Sequence, residues 1–309
     1  MRAVTQLSFG TPDVLVPTEA ARPVPGPGEV LVRVRAASVN PVDAHVRAGT
    51  LPMLGEPPFV LGWDVSGVVE EVAPDVTRFE VGDEVFGMPC FPRPAGAYAE
   101  YVAAPAGHLV RKPAALDHVR AAALPLAGLT AWQALVGTAG LREGMRVLVH
   151  GAGGGVGHLA VQIAKARGAE VLATASAAKH DLLRSLGADR VIDYRTGDFA
   201  AGLDGIDVVL DGVGGYGPRS LPVLAEDGVL ITLIERNSPE LAAAAAAAGR
   251  RLAGPVVEPD AAGLTALAAL VEQGLLRPYV QHVLPLEEAA KAHGLIGSRA
   301  TPGKIVLTV

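Results

Sequence analysis

The chain carries two textures. From Met1 to about Lys112, short apolar runs alternate with polar positions, as in EVLVRV (29–34) and VSGVVEEV (65–72), and Gly and Pro interrupt them. A two-residue apolar period buries one face of a pleated strand, so this part is expected to be β-rich. From Leu116 onward, long Ala/Leu-rich stretches alternate with short apolar runs. Strands separated by helices are the pattern of βαβ units around a parallel sheet. Strands are expected at 146–150, 170–175, 190–194, 207–211 and 229–234. A sixth is expected within 250–257, at an edge, because Pro255 cannot donate to a central ladder. The alanine run 242–248 reads as helix, and so does 261–273. Arg277 and Pro278 open a tail ending in KIVLTV, a strand with no helix after it, which is expected to return to the first domain.

Composition narrows the class. At 309 residues the chain exceeds a comfortable single core, which favours two domains. Half the residues are apolar and 19% are charged, as in a compact enzyme. A net charge of -6 without a dense Lys/Arg block gives no footprint for nucleic acid or an anionic membrane. Cys90, the one cysteine, can form neither an intrachain disulfide nor a thiolate zinc set. The amino terminus shows no apolar signal core and no run is long enough to span a bilayer, so a cytoplasmic protein acting on small molecules is expected.

The strongest chemical signal is VLVHGAGGGVGHLAVQIAK (147–165), a strand that enters a glycine-rich turn and leaves as a helix. Such a turn needs small residues for the bend, for the approach of a pyrophosphate, and for helix-on-strand packing. Ala152, Gly154 and Gly157 fill those places, with Gly155 and Val156 between them, which points to a dinucleotide. NAD-specific sites place an acid at the end of the second strand, where it holds the ribose hydroxyls. Here that place is Ser176, with Lys179 close behind. The missing carboxylate favours NADPH.

These features, with VNPVDAHVRAG (39–49), LGWDVSGVV (61–69), VGDEV (81–85), LPLAGLTAW (124–132), LGADRVIDY (186–194) and SRATPGKIV (298–306), resemble the zinc-independent quinone oxidoreductase branch of the medium-chain dehydrogenase/reductase superfamily. The resemblance spans essentially the whole chain. It implies an α/β fold: a GroES-like, β-rich, partly barrelled catalytic domain, 1–115 completed by the tail 278–309, and a Rossmann dinucleotide-binding domain with a doubly wound parallel sheet, 116–277. An active site in the cleft between them and a homodimer are implied too. Asn40 and Thr130 correspond to family positions near the nicotinamide, and Lys179, Tyr194 and Arg299 to a clamp on the 2′-phosphate. Two cations and a phenol suit a dianion.

Zinc-dependent relatives carry a Cys, a His after a glycine and a later Cys as metal ligands. Here those places read Asn40, Trp63 and no thiol, so no catalytic zinc is expected. Conjugate hydride addition to a quinone or enone needs no metal, and Asn40 is the expected positioning or polarising residue. Asp43 is expected to hold neighbouring backbone, and Trp63 to pack. His45 and Leu51 stand where some relatives carry tyrosines, which leaves acceptor choice open. Two alternatives remain: an enoyl or alkenal reductase acting on thioesters or 2-alkenals, and a non-catalytic NADPH-binding sensor or structural protein.

Overall fold

The computed structural model describes residues 1–297 and 301–309. It divides into two compact units, one of Met1–Leu129, Glu258–Gln273 and Pro278–Val309, the other of Thr130–Val257 and Gly274–Arg277. The stretch 116–129 and the helix over 261–272 thus group with the first unit.

In the first unit the apolar alternation folds as β1 (Arg2–Gln6), β2 (Leu15–Glu19), β3 (Glu29–Val39), β4 (Phe59–Val60), β5 (Asp64–Val72), β6 (Glu84–Gly87), β7 (Tyr101–Pro105) and β8 (Leu109–Arg111). Three helices accompany them: α1 (Pro41–Arg47), α2 (His118–Ala122) and α3 (Pro125–Trp132), whose last turn enters the second unit. Asp117 caps α2, its carboxylate accepting the Arg120 N–H. Among the described residues β1 pairs antiparallel with β2 and β4, and a larger sheet runs β3-β5-β6-β8, with β7 also on β3 and two strands from the end of the chain, Lys304–Thr308 and then Val280–Pro285, extending it beyond β3. The long β3 is buried along most of its length because both its edges and its faces are covered.

The second unit alternates as the sequence pattern predicts. Its elements are β9 (Arg146–His150), α4 (Gly157–Ala166), β10 (Glu170–Ala175), α5 (His180–Ser185), β11 (Arg190–Asp193), β12 (Ile206–Asp211), α6 (Gly217–Ser220), β13 (Leu224–Thr232), α7 (Pro239–Ala247) and β14 (Arg251–Ala253). The strands pair in parallel in the order β11-β10-β9-β12-β13-β14. That is the doubly wound Rossmann order, with its switch point between β9 and β12. Leu148, Leu172, Val209 and Leu230 from four adjacent strands form its core with Phe199 and Leu241. β14 is an edge strand and ends before Pro255, as that proline requires.

The chain then returns to the first unit through α8 (Ala261–Glu272), β15 (Val280–Pro285), α9 (Ala289–Gly297) and β16 (Lys304–Thr308). β16 lies antiparallel on β3, Ile305 opposite Val39, so the tail does rejoin the β-rich unit. No helix among the described residues is long and apolar enough to cross a membrane.

Candidate functional site

The phosphate loop follows β9 at the switch point. Its left-handed residue is Gly151, at φ 66°, and not Ala152, which is fully buried instead. The run of glycines offers several frames for the turn, and only the structure selects one. Gly154 N–H closes the turn on the Gly151 carbonyl at 2.9 Å. A Cβ on Gly157 would lie 2.6 Å from Ala152 Cα and closer still to the Gly151 carbonyl oxygen, so this position admits no side chain. α4 begins there. The N–H groups of Gly155 and Val156 have no hydrogen-bond partner among the described residues. Unpaired donors at a helix start, aided by the helix dipole, suit an anionic diphosphate.

A second positive region adjoins this loop in the same unit. The Lys179 methylenes lie against Gly153, where an added Cβ would be 3.2 Å from Lys179 Cβ. Its ammonium makes no hydrogen bond or ion pair with the described residues. Half-burial lowers its pKa, and the nearby Arg195 cation adds to that. The Arg195 guanidinium carbon is 5.7 Å from the centre of the Tyr194 ring, which is 41% exposed. Asp193 joins the two segments: one carboxylate oxygen accepts the Ala177 N–H at 3.1 Å and the other accepts the Arg195 N–H at 2.9 Å. Ser176, just before Ala177, is half-buried at the end of β10. The structure therefore brings Ser176, Lys179 and Tyr194 together and adds Arg195, which the sequence reading missed. Arg299 lies outside the described residues.

Asn40 belongs to the first unit, where it ends β3 and begins α1. It is 1% exposed. The Asp43 carboxylate accepts the Asn40 N–H at 2.7 Å, which is the backbone-holding role expected of it. Burial pushes the Asp43 carboxyl up to about 7. The Asn40 carboxamide faces two residues that the sequence reading passed over, Asp64 and Lys304. Thr130 is buried in the second unit. His45 is exposed and shares a hydrogen bond with Thr50 Oγ1 at 3.1 Å, and Leu51 is 42% exposed.

Trp63 is 1% exposed, packs edge-on against Phe91 at 5.3 Å and donates its indole N–H to the Arg93 carbonyl at 2.8 Å. It is a packing residue, as expected. Among the described residues no three His, Cys, Asp or Glu side chains are grouped to hold a metal ion.

The phosphate-clamp geometry carries a prediction. Lys179→Ala removes the cation without a partner, so it is expected to weaken NADPH binding about tenfold while NADH binding changes far less. Fluorescence titration with both cofactors checks this; equal losses would reject the clamp.

Two family models match the chain, an alcohol dehydrogenase GroES-like domain over residues 26–114 and a zinc-binding dehydrogenase over residues 186–307. Quinone oxidoreductase of Sus scrofa is 35% identical over 323 aligned positions, covering 99% of this chain and 97% of that protein. The structure of a quinone oxidoreductase from Coxiella burnetii superposes with a TM-score of 0.94 at 36% identity, over 100% of this chain and 99% of the other. Escherichia coli quinone oxidoreductase, solved in complex with NADPH, gives a TM-score of 0.91 at 29% identity with full coverage of both chains.

Proposed function

The chain belongs to the quinone oxidoreductase branch of the medium-chain dehydrogenase/reductase superfamily, and on that premise we propose that it reduces quinones or other conjugated carbonyl compounds with NADPH and without catalytic zinc. The observation that carries the cofactor choice is the Lys179 ammonium, half-buried without a carboxylate, beside Arg195 and Tyr194. The N–H groups of Gly155 and Val156 hold the diphosphate, on a turn kept tight by Ala152, Gly154 and Gly157. Ser176, Lys179, Tyr194, Arg195 and Arg299 take the 2′-phosphate. Bound NADPH supplies the hydride.

Thr130 and Asn40 serve the nicotinamide and acceptor end. Negative charge develops on the acceptor's carbonyl oxygen as the conjugated system is reduced, and a fixed N–H donor in a dry site stabilises it. Asn40 retains one such N–H, because its Nδ2 gives only one hydrogen to the protein. Zinc independence is supported by the residues at the metal positions of zinc-dependent relatives. Asn40 there is hydrogen-bonded to an ammonium, and the Trp63 indole is packed into the core. A homodimer in the cytoplasm completes the reading, with β14 as the open edge of its sheet. Light scattering on the purified protein tests the dimer.

Purified protein is tested by NADPH oxidation against naphthoquinone, phenanthrenequinone, crotonyl thioesters and 2-alkenals. Quinone turnover is expected, with Asn40→Ala lowering kcat about tenfold, the worth of one neutral hydrogen bond to a developing charge. Turnover confined to thioesters or alkenals would reassign the acceptor. NADPH binding without turnover of any acceptor would make the protein a sensor.

A further inference from the structure

Lys304 and Asp64 form a buried charge pair in the first unit. Lys304 opens β16 at 3% exposure, and Asp64 opens β5 fully buried. β16 and β5 flank β3 on opposite sides, with Ile305 opposite Val39 and Asp64 opposite Ser38. Strand register alone therefore sets both side chains beside Asn40, the residue that follows β3.

Lys304 Nζ donates to Asn40 Oδ1 at 2.6 Å and to the Val39 carbonyl at 3.4 Å, and stands 3.7 Å from Asp64 Oδ2. Asp64 Oδ2 accepts from Asn40 Nδ2 at 2.8 Å and Ser38 Oγ at 2.7 Å, while Oδ1 accepts the Leu126 N–H at 2.7 Å. Three donors mark Asp64 as a carboxylate. Burial raises the Asp64 pKa and lowers that of Lys304, and each partner draws the other back.

A buried ion pair of this kind is seldom a net gain over apolar side chains of the same volume. Its effect on Asn40 is specific. A flipped carboxamide would set its NH₂ against the ammonium and its oxygen against the carboxylate, so only one orientation is compatible with both charges. In that orientation Oδ1 is bound by a cation and one Nδ2 hydrogen by an anion. The ammonium draws density from the amide and strengthens the remaining N–H as a donor.

We propose that Lys304 and Asp64 are positioning residues that lock the Asn40 carboxamide and leave one polarised N–H for the carbonyl oxygen of the acceptor. This rests on the role given to Asn40 above.

The test combines Lys304→Met with Asp64→Asn, removing both charges together, and repeats the pair in an Asn40→Ala background. The double variant is expected to unfold in one cooperative transition, at a lower Tm because the amide replacing the Asp64 carboxylate cannot accept from Ser38, Asn40 and Leu126 together, and to bind NADPH within about threefold of the parent. Its kcat should fall about tenfold, with KM for naphthoquinone changing less. In the Asn40→Ala background the same pair should cost nothing further in kcat, because its route of action is already gone. Losses that multiply, or an unchanged kcat in the double variant, overturn the proposal. A silent Asn40→Ala beside an impaired double variant instead removes the role of Asn40 itself, and the proposal with it. If the double variant does not fold, Lys304→Gln carries the test: its Tm falls because Asp64 is left without its cation, and assayed well below that Tm its kcat falls while NADPH affinity holds, with Lys304→Arg recovering the kcat. A Lys304→Gln protein with parental kcat again overturns the proposal.

Discussion

Replacing Gly157 by alanine is expected to weaken NADPH binding about a hundredfold or more, although the change adds one methyl group. Most Gly-to-Ala substitutions in a helix remove a flexible residue and are mildly favourable where the backbone conformation permits. Here no positive φ is involved, so the effect is steric. The new Cβ would press on Ala152 Cα and the Gly151 carbonyl, both backbone atoms with no rotamer to yield. The relief available is to move the start of α4 away from the loop, which displaces the Gly155 and Val156 N–H groups proposed to hold the diphosphate. Overpacking of this kind costs about 1–3 kcal/mol in stability. Gly137 is the control, because a Cβ there meets nothing within 4 Å. Titration of both variants with NADPH, together with thermal unfolding, separates the outcomes. Parental affinity in Gly157→Ala would mean that the diphosphate does not use this helix start.

The loop illustrates how far sequence reaches. β9, β10 and β12 are short apolar runs bounded by Gly or polar residues, and such runs are what a parallel sheet covered on both faces requires. Their positions were therefore legible to within a residue. β13 begins at Leu224, earlier than its apolar run 229–234, because a Glu-Asp-Gly stretch is carried through a register shift opposite β12. A bulge leaves little trace in hydrophobic pattern. The same limit explains why Gly151 and not Ala152 turned out to bend the chain: both residues are small, and φ is not encoded in size alone.

Asp64 and Lys304 were illegible for a different reason. Each is a single charged residue at the end of an apolar strand, where charge ordinarily reaches solvent. They meet only because β16 closes on β3, bringing Lys304 to Asn40 across 264 residues of sequence. Asp43 was legible because its partner is local, the Asn40 N–H three residues back. Arg195 escaped notice although it is adjacent to Tyr194. What gives it meaning is Lys179, which approaches from the turn after β10.

Wild type and His150→Gln are expected to exchange order of stability on acidification. His150 ends β9 at 1% exposure, with Nδ1 beside Thr174 Oγ1 and Nε2 beside Ser220 Oγ, each at 3.0 Å. Its ring stacks on Tyr216 at 4.8 Å and meets Phe199 edge-on at 4.6 Å. Burial, with a smaller contribution from the Arg219 cation, lowers its pKa to about 3. The folded form thus refuses a proton that the unfolded chain takes up near pH 6.5. The neutral ring's contribution is complete above that pH and is lost as pH falls toward about 3. Between pH 7.5 and pH 4 the loss is about 3 kcal/mol, an upper figure because a buried site relaxes. Glutamine carries no such term. At neutral pH it forfeits the stacking and part of the hydrogen bonding, about 1–3 kcal/mol, and is the less stable protein. Other titrating groups, including Asp43 and His293, are common to both proteins and cancel in the difference. Denaturant unfolding of the pair at intervals from pH 7.5 to pH 4 reads the gap directly. Parallel curves would show that His150 accepts its proton in the folded state and that the aromatic and hydroxyl box around it does not hold it neutral.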